Sequence, residues 1–278
     1  MTKVFDDHVC MLGEGPLWHP KRNALFWFDI LGKTLHCKGD GRTQWSFEEH
    51  VSAAAWVDAE CLLLASATGL WRFDVTSGTR ERIAGLEADD TTTRSNDGRA
   101  DPQGGFWIGT MGLQAQAHAG AIYRFYRGNV RQMFDGVTIP NAICFAPDGG
   151  TAYFADTFSQ QIQKVTLDAD GWPAGVAEVF VDLRADGLNP DGAVVDAQGN
   201  LWNAQWGAGR VACYRPDGTL TCTVDIPASQ ATCPAFGGVD RTTLFVTSAA
   251  DGSDDDKRGM TFCADLGVSG QQEHRVIL

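Results

Sequence analysis

Asn141-Ala-Ile-Cys-Phe-Ala-Pro-Asp-Gly-Gly-Thr-Ala-Tyr-Phe-Ala-Asp156 reads as an apolar strand, a Pro-Asp-Gly-Gly turn and a second strand rich in aromatics. Alternating apolar runs around turn residues are the signature of a hairpin. The unit returns along the chain: Gly15–Asp29 and Ala54–Leu64 precede it, with Asn96–Gly109 next to it. Asp191–Trp202 and Ala235–Val246 follow. Placing the second-strand starts at Leu25, Cys61, Gly105, Thr151, Asn200 and Thr243 gives separations of 36, 44, 46, 49 and 43 residues. A period of ~40–50 residues built from short strands is that of propeller blades. Third strands show at Leu70–Asp74, Ala121–Phe125, Gln161–Val165 and Arg210–Tyr214. The spacing predicts a six-bladed β-propeller of four-stranded antiparallel blades, occupying 1–278 as a single domain around a central channel. A pair of β-sandwiches would explain the strands but not their even spacing. Since an unpaired edge is a liability, a terminal strand, Val4–Leu12 or His274–Leu278, is expected to complete the last blade.

Composition narrows the function classes. The 278 residues are 44% hydrophobic and 21% charged, which is globular rather than disordered. Against 22 Lys and Arg stand 35 Asp and Glu, a formal charge of −13. That balance argues against nucleic acid and against anionic membranes as partners. No apolar run approaches the roughly 18–20 residues of a membrane span, and Met1–His8 lacks the pattern of a secretory signal. A cytoplasmic monomer or small homo-oligomer is the expectation. The eight cysteines show no Cys-x-x-Cys spacing, so reduced and mostly buried thiols are expected, with Cys213 and Cys222 placed to face one another across a hairpin.

In a propeller the inner strands converge on one axial mouth. The residues entering them are Glu14 in the first repeat, Asn96 and Asp97 in the third, Asn141 in the fourth and Asp191 in the fifth. Ser52–Ala55 and Pro234-Ala235 offer no comparable ligands in the second and sixth. Turns alone would account for any one of these Asn and Asp residues. Four matching positions instead form a cluster of oxygen donors suited to a hard divalent cation such as Ca²⁺, Mg²⁺ or Mn²⁺.

The same residues carry a resemblance. Gly13-Glu-Gly-Pro-Leu-Trp18, Arg94-Ser-Asn-Asp-Gly-Arg-Ala-Asp-Pro102, Phe106-Trp-Ile-Gly-Thr-Met111, Ile139-Pro-Asn141 and Asn189-Pro-Asp-Gly192 occur in this order along nearly the whole chain. In them the chain resembles the SMP-30/gluconolactonase/luciferin-regenerating-enzyme family. The resemblance implies a divalent-metal-dependent hydrolase that opens a sugar lactone to its aldonic acid in carbohydrate catabolism. It implies one cation, Ca²⁺ foremost and Zn²⁺, Mn²⁺, Mg²⁺ or Fe²⁺ as alternatives, held by Glu14, Asn141 and Asp191. It further implies Asp191 as general base, Arg94 as a substrate-binding arginine, and Asn96 beside the metal and the substrate. One departure stands out. Where the family commonly places a sugar-contacting acid, the loop Gly112–Gly120 carries none, and Gln116 is the nearest equivalent, with His118 close by.

A metal beside Asp191 would keep its carboxylate ionised but weaken it as a base. Water activated by Asp191 and a metal-bound hydroxide therefore both remain open as the nucleophile. The same site would also suit a metal-dependent esterase or phosphotriesterase, and a non-catalytic binding propeller is the remaining alternative. No Gly-x-Ser-x-Gly elbow is present. The histidines lack metal spacing and are expected mostly at the surface or in turns, His118 excepted. Trp206 is a candidate for stacking on a sugar ring. Asp251–Asp256 is expected to be a solvated turn of the last blade.

Overall fold

The computed structural model describes residues 1–278. A short strand, β1 (Lys3–Asp6), precedes the first repeat. Blade one comprises β2 (Gly13–His19), β3 (Ala24–Asp29), β4 (Thr34–Lys38) and β5 (Arg42–Ser46). Blade two comprises β6 (Val51–Trp56), β7 (Cys61–Ser66), β8 (Gly69–Asp74) and β9 (Arg80–Gly85). Blade three comprises β10 (Thr93–Ala100), β11 (Phe106–Gly112), β12 (Gly120–Tyr126) and β13 (Asn129–Val137). Blade four runs through β14 (Pro140–Phe145), β15 (Thr151–Asp156), β16 (Gln161–Thr166) and β17 (Glu178–Asp182). Blade five runs through β18 (Asn189–Val195), β19 (Leu201–Trp206), β20 (Arg210–Tyr214) and β21 (Leu220–Asp225). Blade six has β22 (Ala231–Gly237), β23 (Thr243–Ser248) and β24 (Thr261–Asp265), and β1 supplies its fourth strand. Every inner strand packs on the inner strands of both neighbours, β22 returning to β2. The result is the six-bladed β-propeller that the repeat spacing predicts. No helix is long and apolar enough to cross a membrane.

Turn chemistry explains why the chain reverses where it does. Between first and second strands an aspartate accepts from two backbone N–H groups of its own turn. Asp58 takes Glu60 and Cys61, Asp101 takes Gln103 and Gly105, and Asp196 takes Gln198 and Asn200. Burial then grades outward: β6 is buried throughout, whereas β9 is mostly exposed. Apolar side chains from adjacent blades meet in clusters, such as Phe26, Phe28, Trp56 and Leu62 between blades one and two.

The N-terminal strand, not the C-terminal one, closes the ring. It lies earlier than the Val4–Leu12 expectation, pairing Lys3 with Cys263 and Val4 with Phe262. The C-terminal residues instead cross the far end of the channel. Gln271 Nε2 donates to the carbonyls of Phe145 and Val195, Val276 N to Trp56 O, and Ile277 N to Gly104 O. Glu273 pairs with Arg99 of β10 in the channel itself. The tail is therefore a plug, and it explains why His274–Leu278 has apolar residues without joining a sheet.

Five of the eight cysteines are buried and all are free; Cys213 and Cys222 pair across the β20–β21 hairpin. Four of the six histidines, His8, His50, His118 and His274, are half-buried or exposed, as expected of most of them. His19 and His36 are the exceptions: both are wholly buried beside aromatic rings, His19 against Phe26 and Trp56 and His36 against Trp27. Asp251–Asp256 lies between β23 and β24 with most of its residues exposed.

Candidate active site

All six inner strands break register near their starts. The bulges fall between Glu14 and Leu17, Val51 and Ala53, Ser95 and Gly98, Asn141 and Cys144, Pro190 and Ala193, and Ala231 and Pro234. A bulge re-aims a side chain that regular pleating would hold against a neighbouring blade. Glu14, Asn96, Asn141 and Asp191 sit at four of these breaks. The other two present Ser52, bonded to Ser95 Oγ, and Thr232, bonded to the Gly13 carbonyl and Thr247. Those two hydroxyls tie the ring together rather than adding ligands.

Local backbone supports the arrangement. Gly15, just after Glu14, has φ +52°, and a Cβ there would stand 2.3 Å from the Ser52 carbonyl. Ala142, just after Asn141, takes φ 56° despite its side chain, a strain of about 1 kcal/mol that is commonest at functional sites. Gly192, after Asp191, is needed for space, since a Cβ would lie 2.3 Å from Cys233 Sγ.

The four residues share one cavity of about 340 Å³, lined also by Arg94, Thr157 and Asn189 and walled by Leu12, Met111, Ile139 and Trp206. A directional chain of hydrogen bonds runs along one side. Arg94 Nη1 donates to Asn96 Oδ1 at 2.8 Å, and Asn96 Nδ2 donates to Asn141 Oδ1 at 3.1 Å and to the Pro140 carbonyl. Asn141 Nδ2 donates to Thr157 Oγ1 at 2.8 Å, and that hydroxyl donates to the Pro190 carbonyl at 2.7 Å. Because Thr157 spends its one proton on Pro190, its oxygen must accept from Asn141. This fixes which end of the Asn141 amide is the acceptor.

The electrostatics are unbalanced. Glu14 and Asp191 are each 5% exposed, stand within hydrogen-bond reach of one another, and form no ion pair. Burial pushes the Glu14 carboxyl up to about 8; Asp97 adds to the shift, while the Gly15 N–H and Arg94 oppose it. Burial, then Glu14 and Asp97, drives Asp191 well above the ordinary carboxylate range. Burial brings Arg94 down to about 10, against the pull of Glu14 and Asp191, so it stays cationic at neutral pH. Buried carboxylates that raise one another in this way carry more negative charge than the one nearby cation, Arg94, offsets. With an amide oxygen held in place beside them, they fit a hard divalent cation.

The structure thus brings together Glu14, Arg94, Asn96, Asn141 and Asp191, with Trp206 in the wall. It does not bring in Gln116 or His118, neither of which lines the cavity. Gln116 Oε1 accepts from the Gln114 N–H, and His118 Nδ1 faces the Gly136 carbonyl at 2.7 Å, both side chains on an exposed loop. Sequence reasoning missed Thr157. It directly follows the second strand of the clearest repeat, but its hydroxyl finds partners 16 and 33 residues away.

Comparison with known proteins gives the family. Residues 12–250 match the model of the SMP-30/Gluconolactonase/LRE-like region. The chain is 39% identical over 254 residues to an L-arabinolactonase of Azospirillum brasilense, covering 88% of this chain and 83% of that protein. It is 33% identical over 288 residues to a pentonolactonase of Haloferax volcanii, covering 99% and 97%. Among solved structures, the calcium-binding protein regucalcin from Agrobacterium tumefaciens superposes with a TM-score of 0.97 at 41% identity, covering 100% of this chain and 98% of that one. The chain therefore belongs to the SMP-30/gluconolactonase/LRE-like family.

Proposed function

We propose that this protein hydrolyses a sugar lactone to the corresponding aldonic acid, using one divalent cation held by Glu14, Asn141 and Asp191. Calcium is the first candidate, with Zn²⁺, Mn²⁺, Mg²⁺ or Fe²⁺ as alternatives. The observation that carries the proposal is the pair of buried carboxylates from blades one and five, neither in an ion pair, facing a fixed amide oxygen from blade four. When bound, the cation supplies Lewis-acid polarisation of the lactone carbonyl.

The chain's own residues divide the remaining work. Asp191 accepts a proton from the attacking water and returns it to the ring oxygen as the acyl–oxygen bond breaks. Arg94 is anchored on Asn96 and the Ser95 carbonyl through Nη1, leaving its other N–H donors for substrate oxygens. Asn96 holds Arg94 and Asn141 in register and meets the substrate from the same wall. Trp206, Met111, Leu12 and Ile139 cover the apolar face of the sugar and limit water. The direct test is turnover of a panel of aldono-lactones with and without added cations, run beside simple esters and phosphotriesters. Lactone turnover well above the other two classes is expected; none with any cation would overturn the proposal.

Thr157→Val is expected to weaken cation binding by about 10–100-fold, the usual cost of losing a partner that orients a ligand. Unfolding temperature should change little. Titration of the cation against both proteins checks this, and equal affinities would show that Thr157 does not orient Asn141.

Gln116 and His118 are proposed to act on substrate parts that project past Met111, since their loop begins immediately after it. An amide tolerates an anionic substituent that a carboxylate repels. Gln116→Glu should shift the kcat/KM ratio of neutral over anionic lactones upward by about 1–3 kcal/mol in equivalent free energy. An unchanged ratio would remove this loop from substrate selection.

A further inference from the structure

The seam where the ring closes carries a second cluster of chemistry-bearing residues, outside the channel. Its apolar cluster is the smallest between blades, 4 buried residues (Cys10, Leu25, Trp27 and Phe245) against 9 to 13 at the other five seams. Phe5, Trp18 and Cys263 pack against it half-buried, and a group of metal-ligating side chains lies beside it. His8 and Cys10 come from the segment leaving β1, and His36 comes from β4. One ligand atom from each, a ring nitrogen or the Cys10 Sγ, lies within 4.8 Å of the other two.

His36 gives the independent sign. It is 0% exposed, stacked on Trp27 at 5.2 Å and set 4.7 Å from the His8 ring, yet neither of its nitrogens has a hydrogen-bond partner. Buried polar atoms are nearly always satisfied, so a wholly orphaned imidazole needs an explanation. With neither nitrogen engaged in a hydrogen bond, a ring lone pair is free for an ion.

We propose that His8, Cys10 and His36 form a second metal site, selective for a borderline-soft divalent transition ion such as Zn²⁺. Two imidazoles and one thiolate are a zinc-type donor set, unlike the oxygen donors of the channel. Ligands around tetrahedral zinc stand roughly 3.3–3.7 Å apart, given bonds of ~2.0–2.3 Å. The cluster must contract by about 1 Å to reach that spacing. Cys10 is fixed by backbone bonds to Gly259 and Ala250, and His36 by its strand. The half-buried His8 is the member able to move, and its open side gives the ion an entry path and room for water as fourth ligand. Asp6 and Asp29 add negative potential around the cluster. As the ion binds, Cys10 gives up its thiol proton to solvent and ligates as thiolate. The ion would tie the segment behind the closing strand to blade one, at the seam with the least apolar packing.

The test uses the full-length, fully reduced protein with Co²⁺ as spectroscopic probe and Zn²⁺ as competitor. A thiolate-to-Co²⁺ charge-transfer band is expected, displaced by Zn²⁺ but not by Ca²⁺ or Mg²⁺. It should persist in Asp191→Asn and in Cys233→Ser, which changes the thiol beside the channel ligands. It should vanish in Cys10→Ser. Since a buried Cys10 variant can fail to fold, His8→Ala on the open side is the deciding variant, and its Co²⁺ affinity should fall at least tenfold. No thiolate band in the wild type would overturn the proposal. So would equal affinity in His8→Ala, or loss of the band in Asp191→Asn or Cys233→Ser.

Discussion

Asp191→Ala is expected to lower kcat on a lactone substrate by about a hundredfold to ten-thousandfold, the range for loss of a positioned acid–base group. In the proposed mechanism the residue supplies both a ligand oxygen and the proton acceptor, so the variant would lose both at once. Arg94→Ala should behave differently. Arg94 is held by Asn96 and the Ser95 carbonyl and offers substrate its spare donors, so its removal should mainly raise KM, by about tenfold, with kcat little changed. Steady-state kinetics of both variants at saturating cation separate the roles. If Arg94→Ala lost turnover while Asp191→Ala kept most of it, the assignment of base and binder would be reversed.

Exhaustive chelation is expected to remove lactone hydrolysis, and Ca²⁺, Mn²⁺ or Zn²⁺ to restore it. Full activity in a verified metal-free preparation would refute the mechanism. The carboxylates add a pH signature. In the metal-free folded protein Glu14 keeps its proton up to about 8, against 4.5 for an ordinary glutamate. Between those values the folded state binds more protons than the unfolded state, so stability falls as pH rises through the interval. A cation competes with that same proton. Asp191 is raised in the same direction, so the cation's apparent affinity should climb with pH across the interval. Thermal unfolding with and without Ca²⁺ at the two ends of the interval checks the sign: the increase in Tm should be larger at the alkaline end. Equal increases at both ends would mean the cation does not displace protons from Glu14.

The propeller was legible because each repeat carries its own local instructions. Asp58, Asp101 and Asp196 close their turns with bonds to residues two to four positions on, so spacing alone located the hairpins. The convergence of Glu14, Asn96, Asn141 and Asp191 on one cavity was legible for a related reason: matching positions in successive blades must meet at the axis. What stayed hidden depends on contacts across the ring. Thr157 is an unremarkable residue after a strand until blade four brings it beside Asn141 and Pro190. The burial of His19 and His36 is set by aromatic neighbours, Trp56 on another blade among them, and imidazole has no periodicity that distinguishes a filled crevice from a surface turn. The termini were undecided because both end segments carry apolar residues. Only the packing shows that one pairs with β24 and the other lies across the channel.

That tail has a kinetic consequence. With residues 271–277 bonded to the inner ends of several blades and Glu273 seated on Arg99, the axial passage is a blind alley. Substrate and product are then expected to share one doorway, past Trp206 and Met111. An aldonate still in that doorway excludes the next lactone, so product inhibition should be competitive with substrate.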